Sequence, residues 1–250
     1  MTDAAPTNPQ ASATADAPRD AASLVIIDRT GDVPRFLMGQ RRQGQVFLPN
    51  KYVFPGGRVD DDDAHVAHDG VLSPETLHPL MHDMKGQPSQ VRAKAIAVAA
   101  LRETYEEAGL LFGTPTETAQ DDATTDALKS WQAFDNAGLR PSLNGMHFFA
   151  RAITPPGLPR RYDTRFFTID ASLIAKRIPP PDDELRNLDW FTLEALLDLD
   201  IMKITRKILG ELMEWDRRRI EGHPTPPVPY YFFEDGDFHR VLVPRAETAS

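Results

Sequence analysis

Residues 102–109 read Arg-Glu-Thr-Tyr-Glu-Glu-Ala-Gly, and this stretch decides how the chain is interpreted. It closes a longer run with one apolar face. The apolar and small residues of that face recur at helical spacing: Ala97, Leu101, Thr104, Tyr105 and Ala108. Gly109 stands where such a helix would end. We therefore predict a helix over 92–108, with the quoted stretch as its last two turns.

The acidic residues of this stretch share the other face of the predicted helix. Glu103, Glu106 and Glu107 are spaced i, i+3 and i+4, where like charges cost about 0.2–0.5 kcal/mol per pair. Three carboxylates at this spacing suit a hard cation, Mg²⁺ or Mn²⁺, which keeps positions open for water and phosphate oxygens. The alternative is a solvated acidic face with an ordinary glycine cap.

A glycine turn upstream favours the metal site over that alternative. Tyr52-Val53-Phe54 is typical of a short strand, and it runs into Pro55-Gly56-Gly57. Glycine lets backbone approach a ligand closely, so a carbonyl of Gly56 or Gly57 could complete the coordination of a metal.

Gly57 followed by Arg102-Glu103-x-x-Glu106-Glu107-x-Gly109-Leu110 resembles the signature of the Nudix hydrolases, G-x5-E-x7-R-E-U-x-E-E-x-G-U, where U is aliphatic. That family consists of Mg²⁺-dependent enzymes that cleave diphosphates joining a nucleoside to a second group. The resemblance spans about 23–215. It implies an α/β fold, in which a mixed β-sheet is sandwiched between helices.

The signature is interrupted in this chain. Gly57 and Arg102 are 45 positions apart where the motif has 14, so about 31 residues are inserted, over about 60–91. Lys94 occupies the position eight before Arg102, where the motif has Glu. Asp63 lies six after Gly57, on the far side of the insertion, and is assigned no role. The first departure is shared by a long-insertion branch that includes acyl-coenzyme A diphosphatases.

Three further segments resemble this branch: residues 35–57, 154–167 and 184–191. They contain four arginines that are candidates for binding substrate phosphates outside the cleaved pair: Arg41, Arg42, Arg161 and Arg165. The alternative for each of them is a surface salt bridge.

The resemblance also implies roles for residues 102–109, which we call the box. Glu103, Glu106 and Glu107, with a carbonyl of Gly56 or Gly57, would hold one to three Mg²⁺ ions, with Mn²⁺ as a substitute. Arg102 would orient a neighbouring carboxylate. The general base would be either a glutamate of residues 102–109 or a carboxylate on a distant loop. Glu184 is the candidate for the latter, and a solvated loop acid is the alternative for it.

The reaction implied is hydrolysis of coenzyme A or acyl-coenzyme A to adenosine 3′,5′-bisphosphate and a phosphopantetheine product. The first alternative keeps the reaction and changes the substrate to ADP-ribose, a nucleotide sugar or a dinucleotide such as NADH. The second is a non-catalytic module that senses a nucleotide, which the three retained glutamates disfavour.

The rest of the chain is interpreted as a tail over 1–21 and a single domain over 22–250. Order is expected from Ser23, and hairpin strands at 24–27 and 36–38 flank the turn at 30–32. Helices are predicted near 123–135 and over about 201–218. A last hairpin turns at Asp235-Gly236, and its phenylalanines are candidates for a homodimer contact or, as the alternative, for a satellite core.

Composition limits the classes of function that remain. The 250 residues are 41% hydrophobic and contain no cysteine, which excludes disulfides and zinc–thiolate sites. A net charge of −9 argues against nucleic-acid binding, and the longest apolar runs fall short of the ~20 residues of a membrane span. We expect a cytoplasmic protein that acts on a small molecule, and we expect Asp60–Asp63 and the insertion histidines to be solvated.

Overall fold

The structure is a computed structural model that describes residues 17–45, 48–117, 128–158 and 160–245. Most of the predicted N-terminal tail and the first part of the helix predicted near 123–135 lie outside these described residues.

The described part of the chain alternates strands and helices. The strands are β1 (Arg19–Asp28), β2 (Arg35–Arg41), β3 (Tyr52–Val53), β4 (Gly56–Arg58), β5 (Leu110–Leu111), β6 (Gly113–Pro115), β7 (Leu139–Pro141), β8 (His147–Ile153), β9 (Tyr162–Asp170), β10 (Lys176–Arg177), β11 (Leu185–Thr192), β12 (Val228–Glu234) and β13 (Asp237–Val243). The α-helices are α1 (Pro74–Leu80), α2 (Gln90–Ala108), α3 (Leu128–Asn136), α4 (Leu193–Asp198) and α5 (Lys203–Ile220).

The main sheet is mixed. Its strands run in the order β11-β2-β1-β9-β8-β12-β13, with β3 beside β2 and β4 beside β1. The β1–β9 and β8–β12 pairs are parallel and the other pairs are antiparallel. The predicted first hairpin is confirmed, since Ile27 pairs with Phe36 across the turn. The predicted last hairpin is confirmed as well, with Phe233 opposite Phe238.

Helices cover both faces of this sheet. Leu24 and Ile26 of β1 pack in the cluster that contains α2, whereas Val25 and Ile27 pack in the cluster that contains α5. This alternation is the two-residue period of a strand that is buried on both sides. The predicted α/β fold, a mixed sheet sandwiched between helices, is confirmed. In the described residues, no helix combines the length and the hydropathy that crossing a membrane requires.

Helix α2 forms where the sequence predicts it and begins two residues earlier. The hydroxyl of Ser89 accepts a hydrogen bond from the backbone N–H of Arg92, which caps its first turn. Gly109 ends it in the left-handed conformation, with φ of 66°. A Cβ at Gly109 would lie 1.9 Å from the carbonyl oxygen of Ile178, so only glycine fits there.

The first strand begins at Arg19, four residues before the predicted start of order at Ser23. Residues 19–21 therefore pair with β9 rather than belonging to the tail. Hydropathy did not reveal this because Asp20 carries a charge. The structure neutralises that charge with Arg165, whose Nη1 lies 2.8 Å from Asp20 Oδ1, and with Arg92.

Residues 60–91, which the sequence suggests are a polar and turn-rich insertion, contain regular secondary structure. It contains a short 3₁₀ helix at Asp61–Ala64 and helix α1. Leu72, Leu80 and Met84 pack into the core cluster that contains α2. The insertion is thus part of the α2 side of the fold.

Candidate active site

The acidic face of α2 lies against the glycine turn of β4. Glu107 is buried, at 3% exposed, while the side chains of Glu103 and Glu106 are 13% and 21% exposed. The opposite face of α2 is buried in the core, so the helix cannot rotate to release these carboxylates to solvent. The structure therefore presents the three predicted glutamates together.

Arg102 lies at the centre of these carboxylates. Its Nη1 donates to Glu103 Oε1 and to Glu106 Oε2, each at 2.9 Å. Its Nη2 donates to the carbonyl oxygen of Arg58 at 2.9 Å. These contacts raise the pKa of the guanidinium despite its burial. Arg102 thus holds neighbouring carboxylates and joins them to the end of β4.

Asp63, to which the sequence assigned no role, is a further hydrogen-bond acceptor for Arg102. Nε and Nη2 of Arg102 donate to its two carboxylate oxygens at 2.9 and 3.0 Å. Asp63 is 2% exposed, so the expectation that Asp60–Asp63 is solvated is wrong at this position. The available signal was the count from Gly57, because Asp63 stands six residues on, where the motif has its first carboxylate. The inserted residues therefore follow this carboxylate, and Lys94 has no part in it.

The glycine turn lies against Glu107 and Glu103. The backbone N–H of Gly56 donates to Glu107 Oε2 at 2.8 Å. A Cβ on Gly57 would lie 2.4 Å from Glu103 Oε2, so the carboxylate fills the space that a side chain would take. Pairing of β4 with Ala22 and Ser23 of β1 fixes the position of this turn.

Gly57→Ala is expected to displace the Glu103 carboxylate with little effect on folding. The φ of Gly57 is not positive, so alanine brings no backbone strain there, and the flexible end of Glu103 can move away. We expect diphosphate hydrolysis to fall about tenfold, the equivalent of about 1.4 kcal/mol, in steady-state assays. Gly210→Ala, at an exposed position of α5 where nothing lies within 4 Å of the new Cβ, is the control. Unchanged activity of Gly57→Ala would show that the position of Glu103 does not matter.

Burial and mutual repulsion perturb the ionisation of this cluster. Burial raises the pKa of Glu103 to about 7, with Arg102 opposing the rise and Glu106 adding to it. Burial also raises the pKa of Glu107 well above its usual value, and the charge of Glu103 adds to the rise. A cation near both groups would favour their charged forms.

The residues fit a hard divalent ion by their chemistry. All the donors are oxygens, and the repulsion between Glu103 and Glu107 is of the kind that such an ion relieves. Across the described ranges, no three acidic or histidine side chains already surround one point in the manner of a metal site. Arg102 occupies one oxygen of Glu103 and one of Glu106, and the hydroxyl of Ser130 takes the other oxygen of Glu106. Glu103 Oε2 and Glu107 Oε1 are the oxygens that remain for a metal.

Ser130 is a second residue that sequence reasoning missed. It lies on α3, far from the box in sequence, and donates to Glu106 from a helix that packs beside α2. A lone serine on an amphipathic helix carries no motif, so only the tertiary packing reveals this contact.

Glu184 reaches the site from the position directly before β11. Its Oε2 accepts a hydrogen bond from Gln45 Nε2 at 2.7 Å and lies 3.4 Å from Arg41 Nη2. The other terminal nitrogen of Arg41 lies 3.9 Å from Glu107 Oε1. Arg41 therefore stands between the candidate base and the box, because β2 pairs with β11 at Arg41 and Leu185.

The other three arginines that were predicted to bind substrate phosphates lie in different parts of the structure. Arg42 is exposed and pairs with Asp183 near Glu184. Arg161 donates to the carbonyl oxygen of Thr154, before β9, and none of the described contacts joins it to the glutamates. Arg165 is fully buried in β9 and binds Asp20 and Asp163, so its prediction as a substrate ligand is wrong. An inward-facing arginine in a central strand needs buried carboxylate partners, and the sequence does not show which way it faces.

Comparisons with known proteins agree with this geometry. A family model described as the NUDT19 Nudix domain matches residues 11–200. A crystal structure of a Nudix hydrolase from Alicyclobacillus acidocaldarius superposes with a TM-score of 0.55 at 26% identity, covering 77% of this chain and 90% of that one.

Two relatives with longer chains are similar in sequence. Nudix hydrolase 7 of Caenorhabditis elegans is 24% identical over 230 residues, which are 84% of this chain and 66% of that protein. The human acyl-coenzyme A diphosphatase NUDT19 is 26% identical over 189 residues, which are 59% of this chain and 49% of that protein. The matched residues thus cover about half of one relative and about two thirds of the other.

Proposed function

We propose that this chain, which belongs to the Nudix hydrolase family, hydrolyses the diphosphate linkage of a nucleotide derivative with the aid of a divalent cation. The observation that supports this reaction most directly is the box itself. Glu103, Glu106 and Glu107 share one helix face, and Arg102 and the glycine turn hold them in place. A helix whose acidic face was merely solvated would not bury Glu107 to this degree.

Different residues of the chain would bind the cation and keep its ligands in position. Glu103 and Glu107 would hold the cation through the oxygens that Arg102 and Gly56 leave open. Glu106 would become a further ligand once Arg102 or Ser130 releases one of its two oxygens. A bound Mg²⁺ supplies charge neutralisation at phosphoryl oxygens and lowers the pKa of a bound water. Asp63 and Arg102 would keep the glutamates in position, through the hydrogen bonds described above.

Glu184 is proposed as the group that takes the proton of the attacking water. Its side chain is 49% exposed, so water reaches it, and Oε2 is engaged by Gln45 and Arg41. Oε1 is therefore the oxygen that would accept the proton. Arg41 would keep the carboxylates of Glu184 and Glu107 at a constant separation, since it contacts both.

Coenzyme A or an acyl-coenzyme A is the proposed substrate. The support is the match to the NUDT19 domain and the similarity to a human protein named as an acyl-coenzyme A diphosphatase. ADP-ribose, nucleotide sugars and NADH are the alternatives. Purified protein with Mg²⁺ should be tested against all four, with products resolved by chromatography. Adenosine 3′,5′-bisphosphate from coenzyme A is the expected product, and turnover of ADP-ribose without turnover of any coenzyme A compound would overturn the substrate assignment.

Magnesium is expected to stabilise the protein as well as to activate it. An ion that binds only the folded state adds about 2.7 kcal/mol at a concentration of 100 times Kd. Thermal unfolding followed with and without Mg²⁺ should therefore show a higher Tm with the ion, and EDTA should abolish hydrolysis. Ca²⁺ and K⁺ serve as comparison cations. Full activity in EDTA would contradict the metal assignment.

A further inference from the structure

A cavity of about 440 Å³ lies beside the proposed site, between the turn that follows β2 and the start of β11. Its lining is polar and charged: Arg42, Gln43, Gly44, Gln45, Asp183, Glu184 and Arg186. Glu184 is shared between this cavity and the site, so a substrate bound at the glutamates can extend past Arg41 into it.

The charges that line the cavity are paired, with one exception. Arg42 pairs with Asp183, and Glu184 contacts Arg41 and Gln45. The guanidinium of Arg186 makes no hydrogen bond or ion pair within the described ranges, and it is exposed to the cavity. A guanidinium presents a planar set of donors that suits a phosphate group, so an unpaired one can take an anion without breaking an existing contact.

The backbone beneath Arg186 is held in place. Arg186 pairs with Gln40 of β2, and an irregularity in β11 follows directly after it. Asn187 adopts a φ of 49° at that point and donates to Gln40 Oε1 at 3.0 Å. Leu185, on the other side, packs against Gly39, where an added Cβ would lie 2.8 Å from the Leu185 Cβ. These contacts fix the strand from which the free guanidinium projects.

We propose that Arg186 and the cavity beside Glu184 bind a phosphomonoester that the substrate carries outside the cleaved diphosphate. This inference rests on the proposed function. The phosphomonoester is a dianion and the protein has a net charge of −9, so the two repel each other at long range. Binding therefore requires a local cation that is not already paired. The 3′-phosphate of coenzyme A and the 2′-phosphate of NADPH share this chemistry, so the site selects for an additional phosphate and not for one named compound.

Matched substrate pairs test this proposal. Coenzyme A is compared with dephospho-coenzyme A, and NADPH with NADH, for wild type and for Arg186→Gln. Wild type should prefer the phosphorylated member of at least one pair, and the pair concerned identifies the source of the phosphate. Arg186→Gln should lower kcat/KM for that member about tenfold, mainly through KM, and should leave its partner unchanged. Arg186→Lys, which keeps the charge but not the planar donors, should recover part of the loss.

A binding measurement keeps the test independent of catalysis. Calorimetry with adenosine 3′,5′-bisphosphate and with AMP should show tighter binding of the bisphosphate to wild type and equal binding to Arg186→Gln. Arg217→Gln removes the same charge from the exposed surface of α5 and is the control. Equal effects of Arg186→Gln on both members of each pair, or no effect, would overturn the proposal. Absence of hydrolysis with selective binding of the bisphosphate would overturn the enzyme assignment alone.

Discussion

Glu107→Gln is expected to reduce diphosphate hydrolysis by about 10³-fold and to leave the protein folded. Removing one preorganised electrostatic group from a buried active site lowers kcat by about 10²–10³-fold. Glu107 is such a group and is also a proposed metal ligand, so we expect a loss at the upper end of this range. Glutamine has the same shape, and its amide oxygen can still accept the hydrogen bond from the Gly56 N–H. The loss would therefore report the charge of Glu107 and not the packing around it.

Stability is expected to change in the opposite direction to activity. Glu107 is buried and its charge lies near that of Glu103, with only Arg41 at 3.9 Å as a described cationic neighbour. Neutralising it removes a buried like-charge repulsion, so the Tm without metal should stay the same or rise. The gain in Tm that Mg²⁺ gives wild type should shrink in the variant.

Glu194→Gln is the matched control for this experiment, because Glu194 is an exposed glutamate at the start of α4. It should retain wild-type rates. If Glu107→Gln hydrolysed diphosphates at the wild-type rate, Glu107 could not be a functional ligand and the proposed mechanism would fail. If wild type itself bound nucleotides and hydrolysed none, the sensing module would be the better description.

The sequence predicts those parts of this fold that depend on periodicity and on local turn chemistry. Helix α2 follows from apolar spacing, and Gly109 marks its end because no side chain fits beside Ile178. The last hairpin follows from Asp235-Gly236, both of which adopt positive φ. Such signals are carried by neighbouring residues and need no knowledge of tertiary contacts.

Contacts between distant segments are what the sequence does not show. Arg165 resembles a surface arginine in the sequence, yet β9 turns it inward to Asp20 and Asp163. Ser130 reaches Glu106 only because α3 packs beside α2. Asp63 was hidden by the insertion that separates it from its partner Arg102. Each of these polar or charged residues binds a partner on another segment. Which partner it meets depends on how the whole chain folds.

Asp63→Ala is expected to lower both stability and activity, because it leaves Arg102 with an unpaired part of its guanidinium in a buried position. Removing one partner of a buried ion pair costs about 3–5 kcal/mol. Glu103, Glu106 and the Arg58 carbonyl still bind Arg102, so we expect the lower end of this range, about 3 kcal/mol, in urea unfolding. Activity, measured well below the Tm of the variant, should fall about 10²-fold as Arg102 shifts and the glutamates move with it.

Two further substitutions separate the possible roles of Asp63. Asp61→Ala changes an exposed acid in the same 3₁₀ helix and should leave rate and stability unchanged. Asp63→Glu restores the residue that the family motif has at this place, and should keep most of the activity if the longer side chain still reaches both Nε and Nη2 of Arg102. Wild-type activity in Asp63→Ala would mean that Glu103 and Glu106 position Arg102 without it. Because the insertion begins directly after this residue, the interrupted motif would then have to work without its first carboxylate.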